Sequence, residues 1–286
     1  MDKSSADILA VWHIVVTLVG LLLYIRIIYI LIEKKPFRSR ECYRIMIHIG
    51  VVQCLYSPGV ALYGIAYLLG SQWLWDAMLV SLKLCSSIAR MEAIMSLILA
   101  MDRLKVMVGL HYPDITHTAL LAVAWLIGVL NLGFLFTPWY DNFVSDADLM
   151  AQYDVSKSVT SVYSTVSIVI IMGCAVLCFI IYSFTIFCIT RSKKEVGTKL
   201  EAVREKKILV YACVKFIIDL LAALGMFANL PFPRTSVANA IIGQGYVVNN
   251  LLIPPLLHLV LNSDIRSNFL PFKKSSTIVV QSSLYT

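Results

Sequence analysis

Long apolar segments, each separated from the next by a short polar stretch, run through almost the whole chain. A helix needs about 20 apolar residues to cross a bilayer, whereas a barrel strand needs only about 9 to 11 and alternates in polarity. Lipid offers no partner to a free backbone N–H or C=O, so only helices and closed barrels can span it. We therefore predict seven transmembrane helices, over Ile8–Ile32, Cys42–Leu69, Ala77–Met101, Thr118–Tyr140, Val159–Thr190, Ile208–Leu230 and Ala238–Leu261.

Composition supports this interpretation. Of 286 residues, 59% are hydrophobic and only 14% are charged, whereas a soluble domain has about 25% charged residues. The chain is therefore predicted to be an all-α membrane protein, a seven-helix bundle embedded in a lipid bilayer. We expect residues 1–7 to form an outer N-terminus, 8–261 the bundle, and 262–286 a short amphipathic helix and tail.

The distribution of Lys and Arg predicts the orientation. Cytoplasmic loops carry an excess of these residues. With Met1 outside, the outer segments hold only Lys3, Lys157 and Arg234, and most other cations fall in the inner segments. The net charge of +7 then reflects topology, and because the cations are spread over four membrane-edge segments we expect no nucleic-acid partner.

The sequence lacks the short motifs that carry enzymatic chemistry. There is no HExxH, GxSxG or P-loop, so we expect no enzyme, no catalytic residue, no metal site and no cofactor. A retinal-binding pump would need a lysine in the last span, and Ala238–Leu261 contains none.

Arg90 and Glu92 are the ionisable residues that lie deepest in a predicted span. Such groups are costly in lipid and usually find partners inside the bundle. Two residues apart on a helix, they point in different directions and each needs a partner on another helix. We hypothesise that Asp219 forms an ion pair with Arg90. Gln53 and Asn250 are the hypothetical hydrogen-bond partners of Glu92. Three more cations lie nearer span ends and are expected to extend toward the headgroups: Arg26, Lys83 and Lys215.

Motifs at two predicted helix ends are in register with the seven spans. Asp102-Arg103-Leu104 ends the third span, Trp125 lies in the fourth, and Pro254-Pro255-Leu256-Leu257-His258 lies in the seventh. This pattern resembles the DRY and NPxxY motifs of rhodopsin-like G-protein-coupled receptors, with Leu104 and His258 in place of two tyrosines and Pro254 in place of an asparagine.

Departures from the common pattern narrow the resemblance. Gln53 replaces the second-span aspartate, the sixth span lacks its usual proline, and no outer-loop cysteine can tie the third span to the second outer loop. The segments 42–46, 97–103 and 261–266 are similar to those of nematode serpentine chemoreceptors, most closely class T. The resemblance covers the chain from about Arg40 to Arg266.

The resemblance implies a plasma-membrane chemosensory receptor that binds a small odorant or soluble ligand and activates a heterotrimeric G protein. Asp102, Arg103, Glu205, Pro255 and His258 would then form the coupling switch, in which Glu201 or Glu205 latches Arg103. The ligand would lie among the outer halves of the third, fifth, sixth and seventh helices. The candidate ligand-binding residues are Cys85, Ser86, Arg90, Tyr163, Asp219 and Gln244, and the polar core residues are Gln53, Glu92 and Asn250.

Two alternatives remain open at this point. A small transporter would use Arg90, Glu92 and Asp219 to line a substrate path, although no repeat is visible in the sequence. A divergent homologue that folds without signalling would explain the altered motifs. If Arg90 has no acidic partner, the pocket can receive an acidic ligand; if Asp219 neutralises it, the pocket suits small apolar odorants.

Overall fold

The structure, a computed structural model, describes residues 3–113, 115–145, 150–154, 156–191, 199–228 and 236–269. Long helices dominate this part of the chain, with one hairpin of two short strands. The helices are α1 (Lys3–Glu33), α2 (Lys35–Arg38), α3 (Glu41–Leu69), α4 (Gln72–Val108), α5 (Ile115–Leu135), α6 (Ser158–Arg191), α7 (Lys199–Ala228), α8 (Ser236–Leu251), α9 (Ile253–Leu261) and α10 (Ser263–Phe269). The strands are β1 (Asn142–Ser145) and β2 (Met150–Tyr153).

Five of these helices are long and apolar enough to cross a membrane: α1, α3, α4, α5 and α6. Their outward faces are strongly apolar, as on α6, where Val162, Val169 and Phe179 are exposed. Exposing this much apolar surface to water costs free energy, whereas contact with lipid tails does not. The sixth and seventh spans are more polar or interrupted, since α7 carries Lys215 and Asp219 and the seventh span divides at Leu252 into α8 and α9.

The helix bounds differ from the predicted spans at several ends. The third span continues to Val108, past the predicted end at Met101, and the fourth helix ends at Leu135, before Tyr140. The seventh span was predicted as one helix and is not. Pro254 and Pro255 lie in the first turn of α9. Neither has a backbone N–H, so two consecutive donors are missing from the helical hydrogen-bond pattern beside the interruption at Leu252.

Close helix contacts depend on glycine. A Cβ built at Gly20 of α1 would lie 2.6 Å from the carbonyl oxygen of Leu251 on α8. Small residues allow backbones to approach in membranes, where lipid tails remove the hydrophobic drive for helices to associate. Interhelical hydrogen bonds add to this packing: Ser87 Oγ donates to Gly128 O at 2.7 Å, and Trp125 Nε1 donates to His48 Nδ1 at 3.2 Å.

The two ends of the bundle are distinct. The β1–β2 hairpin pairs Asn142 with Tyr153 and follows the last turn of α5, so it defines one end, here the hairpin end. Lys157 Nζ donates to Asp141 Oδ2 at 2.8 Å beside it, and this hydrogen bond raises the pKa of Lys157. The opposite end, where α4 finishes and α5 begins, contains Arg103 and is here the Arg103 end.

Candidate ligand cavity and ion-pair switch

A cavity of about 330 Å³ lies inside the bundle, within the size range of small-molecule sites. Its wall includes side chains of α1, α3, α4, α6, α7 and α8, and Tyr153 of β2 reaches it from the hairpin. Five of the six predicted ligand residues line it: Cys85, Ser86, Arg90, Asp219 and Gln244. Glu92 and Asn250, predicted as polar core, also line it.

Arg90 is 4% exposed and is held by neutral groups. Its Nε and Nη2 atoms donate to Ser167 Oγ at 3.0 and 2.6 Å, and Nη1 donates to Ser86 O at 2.8 Å. The guanidinium carbon lies 4.3 Å from the ring centroid of Tyr163, a cation–π contact. The hypothesis that Asp219 pairs with Arg90 is therefore wrong.

Tyr163, the sixth predicted ligand residue, acts on the cavity through Arg90. Its hydroxyl donates to Asn131 Oδ1 at 3.0 Å, and its ring stacks on Phe134 at 5.5 Å between centroids. Ser167 Oγ in turn donates to Tyr163 O at 2.6 Å. These contacts fix the ring and the hydroxyl that orient the guanidinium.

A second group of charges connects three helices and is here named the Lys215 cluster: Glu92, Lys215, Asp219 and Asn249. Lys215 Nζ lies 3.1 Å from Glu92 Oε1 and is also paired with Asp219. Asn249 Nδ2 donates to Asp219 Oδ1 at 2.6 Å. Lys215 was expected to extend to the headgroups; it is instead 7% exposed and paired with two carboxylates inside the bundle.

The remaining polar core residues join α1, α3 and α8. Gln53 Nε2 donates to Asn250 Oδ1 at 3.2 Å, and Tyr24 OH donates to Asn250 O at 3.2 Å. Asn250 Nδ2 also donates to Tyr246 O at 2.8 Å. Glu92, for which Gln53 and Asn250 were the hypothetical partners, has Lys215 as its ionic partner and also a side-chain hydrogen bond with Gln53.

The Arg103 end contains a buried ion pair. Asp102 and Arg103 are each 1% exposed. Arg103 Nε donates to Asp102 Oδ2 at 3.0 Å, and Nη2 donates to the same oxygen. Burial favours such a pair only where geometry and further hydrogen bonds are good. The two residues are therefore part of the packed interior and not an exposed helix end.

A histidine lies behind this pair. His117 is fully buried, with Nε2 at 2.8 Å from Tyr112 OH, and Nδ1 at 3.0 Å from Glu41 Oε2. The same Nδ1 lies 3.9 Å from Asp102 Oδ1. Sequence analysis missed His117 and Glu41, because no local pattern distinguishes them from other residues at helix ends.

The two other predicted switch positions on α9 are buried. Pro255 lies in the first turn of α9, and the ring of His258 stacks on Tyr211 of α7 with centroids 4.4 Å apart. Glu201 and Glu205 belong to α7, but their side chains lie outside the described residues. The proposed latch from Glu201 or Glu205 to Arg103 therefore stays a prediction.

A scan against protein-family models finds no match, and a search of curated proteins finds no relative. Among solved structures the chain is similar to squid rhodopsin, with a TM-score of 0.71 and 14% sequence identity, over 94% of this chain and 85% of that one. At this identity the likeness shows the fold. The predicted fold class, a seven-transmembrane helix bundle, is confirmed, and the chain is a multi-pass membrane protein.

Proposed function

We propose that this chain is a receptor that binds a small extracellular ligand in the cavity and activates a heterotrimeric G protein at the Arg103 end. The proposal requires the predicted orientation, with the N-terminus outside and the C-terminus in the cytoplasm of a plasma-membrane protein. The excess of Lys and Arg near the Arg103 end supports this orientation.

One face of α7 connects the cavity with the helices near the Arg103 end. Asp219 lines the cavity, Lys215 pairs with Glu92 of α4, and Tyr211 stacks on His258 of α9. Residues four apart lie on the same face of a helix, so these three contacts follow one line from the cavity toward the Arg103 end. A ligand that changes the contacts of Asp219 therefore also changes how α7 packs on α4 and α9.

Such a ligand would act by shifting a population between two packings of α7. The size of this shift is limited by the difference between the ligand's affinities for the two states. In the inactive packing Asp102 holds Arg103. In the active packing Arg103 would be released to contact the G protein, since guanidinium groups suit buried and interfacial ion pairs.

A second-messenger reporter in cells that express the full chain tests the proposal. We expect a ligand-dependent response that Arg103→Ala abolishes at equal surface expression. Lys34→Ala is the matched control, because Lys34 is an exposed cation whose contact is a 3.9 Å pair with Glu33. A response of the same size from Arg103→Ala would contradict coupling through this residue and favour transport.

The orientation has a separate test. Glycosylation acceptor sites inserted before α1 should be modified, and sites inserted after α10 should not. The opposite pattern would place the Arg103 end outside the cell and overturn the signalling proposal.

A chemosensory role within the nematode serpentine receptors, class T most closely, is the finer proposal. It is supported by the segments 42–46, 97–103 and 261–266. The seven-helix fold agrees with it but is shared by receptors for many other ligands. Expression of a tagged chain in sensory neurons, with a response to volatile or water-soluble compounds, would test it.

A further inference from the structure

Arg90 lies in the cavity wall, and a guanidinium is a group that binds anions in proteins. If the cavity is the ligand site of the proposed receptor, this inference names the chemical class of its ligand. We infer that the cavity binds a small organic carboxylate, whose carboxylate group pairs with Arg90 and whose apolar body fills the rest of the space.

Arg90 has no carboxylate as a counter-charge among the described residues. Arg90 is 4% exposed, and its contacts are a serine hydroxyl, a backbone carbonyl and a tyrosine ring. No carboxylate pairs with it among the residues that the structure describes. A guanidinium cannot be deprotonated in a protein, and a buried charge needs a partner, so this site lacks one negative group.

The Arg90 guanidinium has more N–H donors than its protein hydrogen bonds use. A guanidinium has five N–H groups, and Arg90 uses three of them, on Nε, Nη1 and Nη2. One N–H on Nη1 and one on Nη2 are left over; the Tyr163 hydroxyl is a neutral acceptor within reach of the guanidinium, and no carboxylate of the described residues accepts from either N–H. Two N–H groups on neighbouring nitrogens match the two oxygens of a carboxylate in a bidentate pair.

The Arg90 side chain is preorganised to receive an anion. Ser167 and Ser86 hold the guanidinium on one side, and the Tyr163 ring lies against its face. Since the side chain is already ordered, an incoming carboxylate does not have to immobilise it, which favours affinity.

The Lys215 cluster gives the ligand its direction. Glu92 and Asp219 also line the cavity, and both share the single ammonium of Lys215. These two carboxylates repel a ligand anion, while their own charges are already partnered. The anionic head is therefore directed to Arg90, and the rest of the ligand lies among Tyr56, Val247 and Phe216.

The volume sets the size. A cavity of about 330 Å³ is at the lower limit for ligand pockets. It accommodates a short aliphatic or single-ring acid. Benzoate, phenylacetate and hexanoate are suitable probes, each with its neutral amide of nearly equal shape.

The test is binding to the purified full chain in lipid nanodiscs, followed as a concentration-dependent rise in the melting temperature. We expect at least one carboxylate to bind tenfold or more tightly than its amide. Arg90→Gln should weaken that carboxylate at least tenfold and leave the amide unchanged. Lys83→Gln is the matched control, because Lys83 is a cation of the same helix whose ammonium lies near the rings of Phe136 and Tyr140 and not in the cavity wall.

Arg90→Met separates binding from folding. If Arg90 is kept for a ligand, its replacement by an apolar side chain should leave the melting temperature of the ligand-free chain unchanged or raise it. A melting temperature lowered by several degrees would assign Arg90 a structural role and overturn the inference. So would equal binding of every acid and its amide, or unchanged carboxylate binding in Arg90→Gln.

These measurements do not involve a G protein. A chain that binds carboxylates through Arg90 but gives no second-messenger response would sustain this inference and contradict the proposed signalling. A second-messenger response without carboxylate binding through Arg90 would contradict this inference and leave the proposed signalling intact.

Discussion

Two arginines of α4, Arg90 and Arg103, are both buried, yet their electrostatic surroundings differ. Arg103 is 1% exposed and pairs with the carboxylate of Asp102, while Arg90 is 4% exposed and contacts neutral groups. Arg103 therefore has its charge partner within the packed interior. Arg90, with no paired carboxylate in the described chain, keeps hydrogen-bonding capacity for a ligand.

Two carboxylates line the cavity together with Arg90, yet neither of them pairs with it. Glu92 and Asp219 both line the cavity wall with Arg90, but both pair with Lys215. Lys215 therefore pairs with two carboxylates, whereas Arg90 pairs with none among the described residues. This contrast between the two cations of the cavity region, and with Arg103, can be tested by substitution.

Lys215→Met should have the largest effect. It leaves Glu92 and Asp219 in the bundle without their shared cation, and loss of one partner from a buried ion pair costs about 3 to 5 kcal/mol. Thermal or denaturant unfolding in detergent would measure it. Glu92→Gln added to Lys215→Met should recover part of the loss; a single variant as stable as the natural chain would show that the cluster contributes no net stability.

Asp102→Asn should have the next largest effect, at the Arg103 end. Asparagine keeps an acceptor oxygen but loses the charge, and hydrogen bonds to charged groups are worth about 1.5 to 3 kcal/mol. We expect a smaller loss of unfolding free energy than in Lys215→Met, together with a raised basal reporter signal. A raised signal from Glu33→Gln, an exposed carboxylate, would indicate a general effect of charge instead.

Ser167→Asp would give Arg90 the kind of partner that Arg103 has. Charge-assisted hydrogen bonds are about twice as strong as neutral ones, so we expect a gain of about 1 kcal/mol in unfolding free energy. Carboxylate binding to the nanodisc-bound chain should be lost at the same time. Ser164→Asp is the control on α6, because Ser164 bonds only locally, to Ser161 O; retained carboxylate binding in Ser167→Asp would contradict the Arg90 site.

Tyr163→Phe should have the smallest effect. It keeps the ring that lies against Arg90 and removes the hydrogen bond to Asn131. One neutral hydrogen bond contributes about 0.5 to 1.5 kcal/mol. We expect a loss of unfolding free energy in that range and only a modest loss of carboxylate affinity, whereas Tyr163→Leu, which removes the ring, should reduce both further.

Sequence analysis could predict much of the fold and part of the cavity. The apolar runs gave helices at all seven expected places, and five of six candidate ligand residues line the cavity. Asp102 and Arg103 were predicted to end the third span, whereas α4 continues past them to Val108. The break at Leu252 was missed, although Pro254 and Pro255 were visible, because consecutive prolines are compatible with several local conformations.

The charge partners could not be predicted in the same way. Lys215 was assigned to a span end because its position along the sequence is near one, and Asp219 was assigned to Arg90 because both are deep. Lys215 and Asp219 are four residues apart on α7, and helix geometry alone could have paired them. The pairing of Lys215 with Glu92 and the partners of Arg90 depend instead on the rotation and height of each helix relative to its neighbours. Those quantities are set by contacts such as Gly20 on Leu251, between residues far apart in sequence.

The sequence alone determined that this chain forms a bundle of membrane-crossing helices, because hydrocarbon forces an apolar segment to satisfy its backbone within itself, a local requirement. The tertiary structure decided which charges are paired and which are not. The pair of Lys215 with Asp219 lies within α7. The pair of Lys215 with Glu92 and the contact of Arg90 with Ser167 join different helices, so they form only when the helices pack.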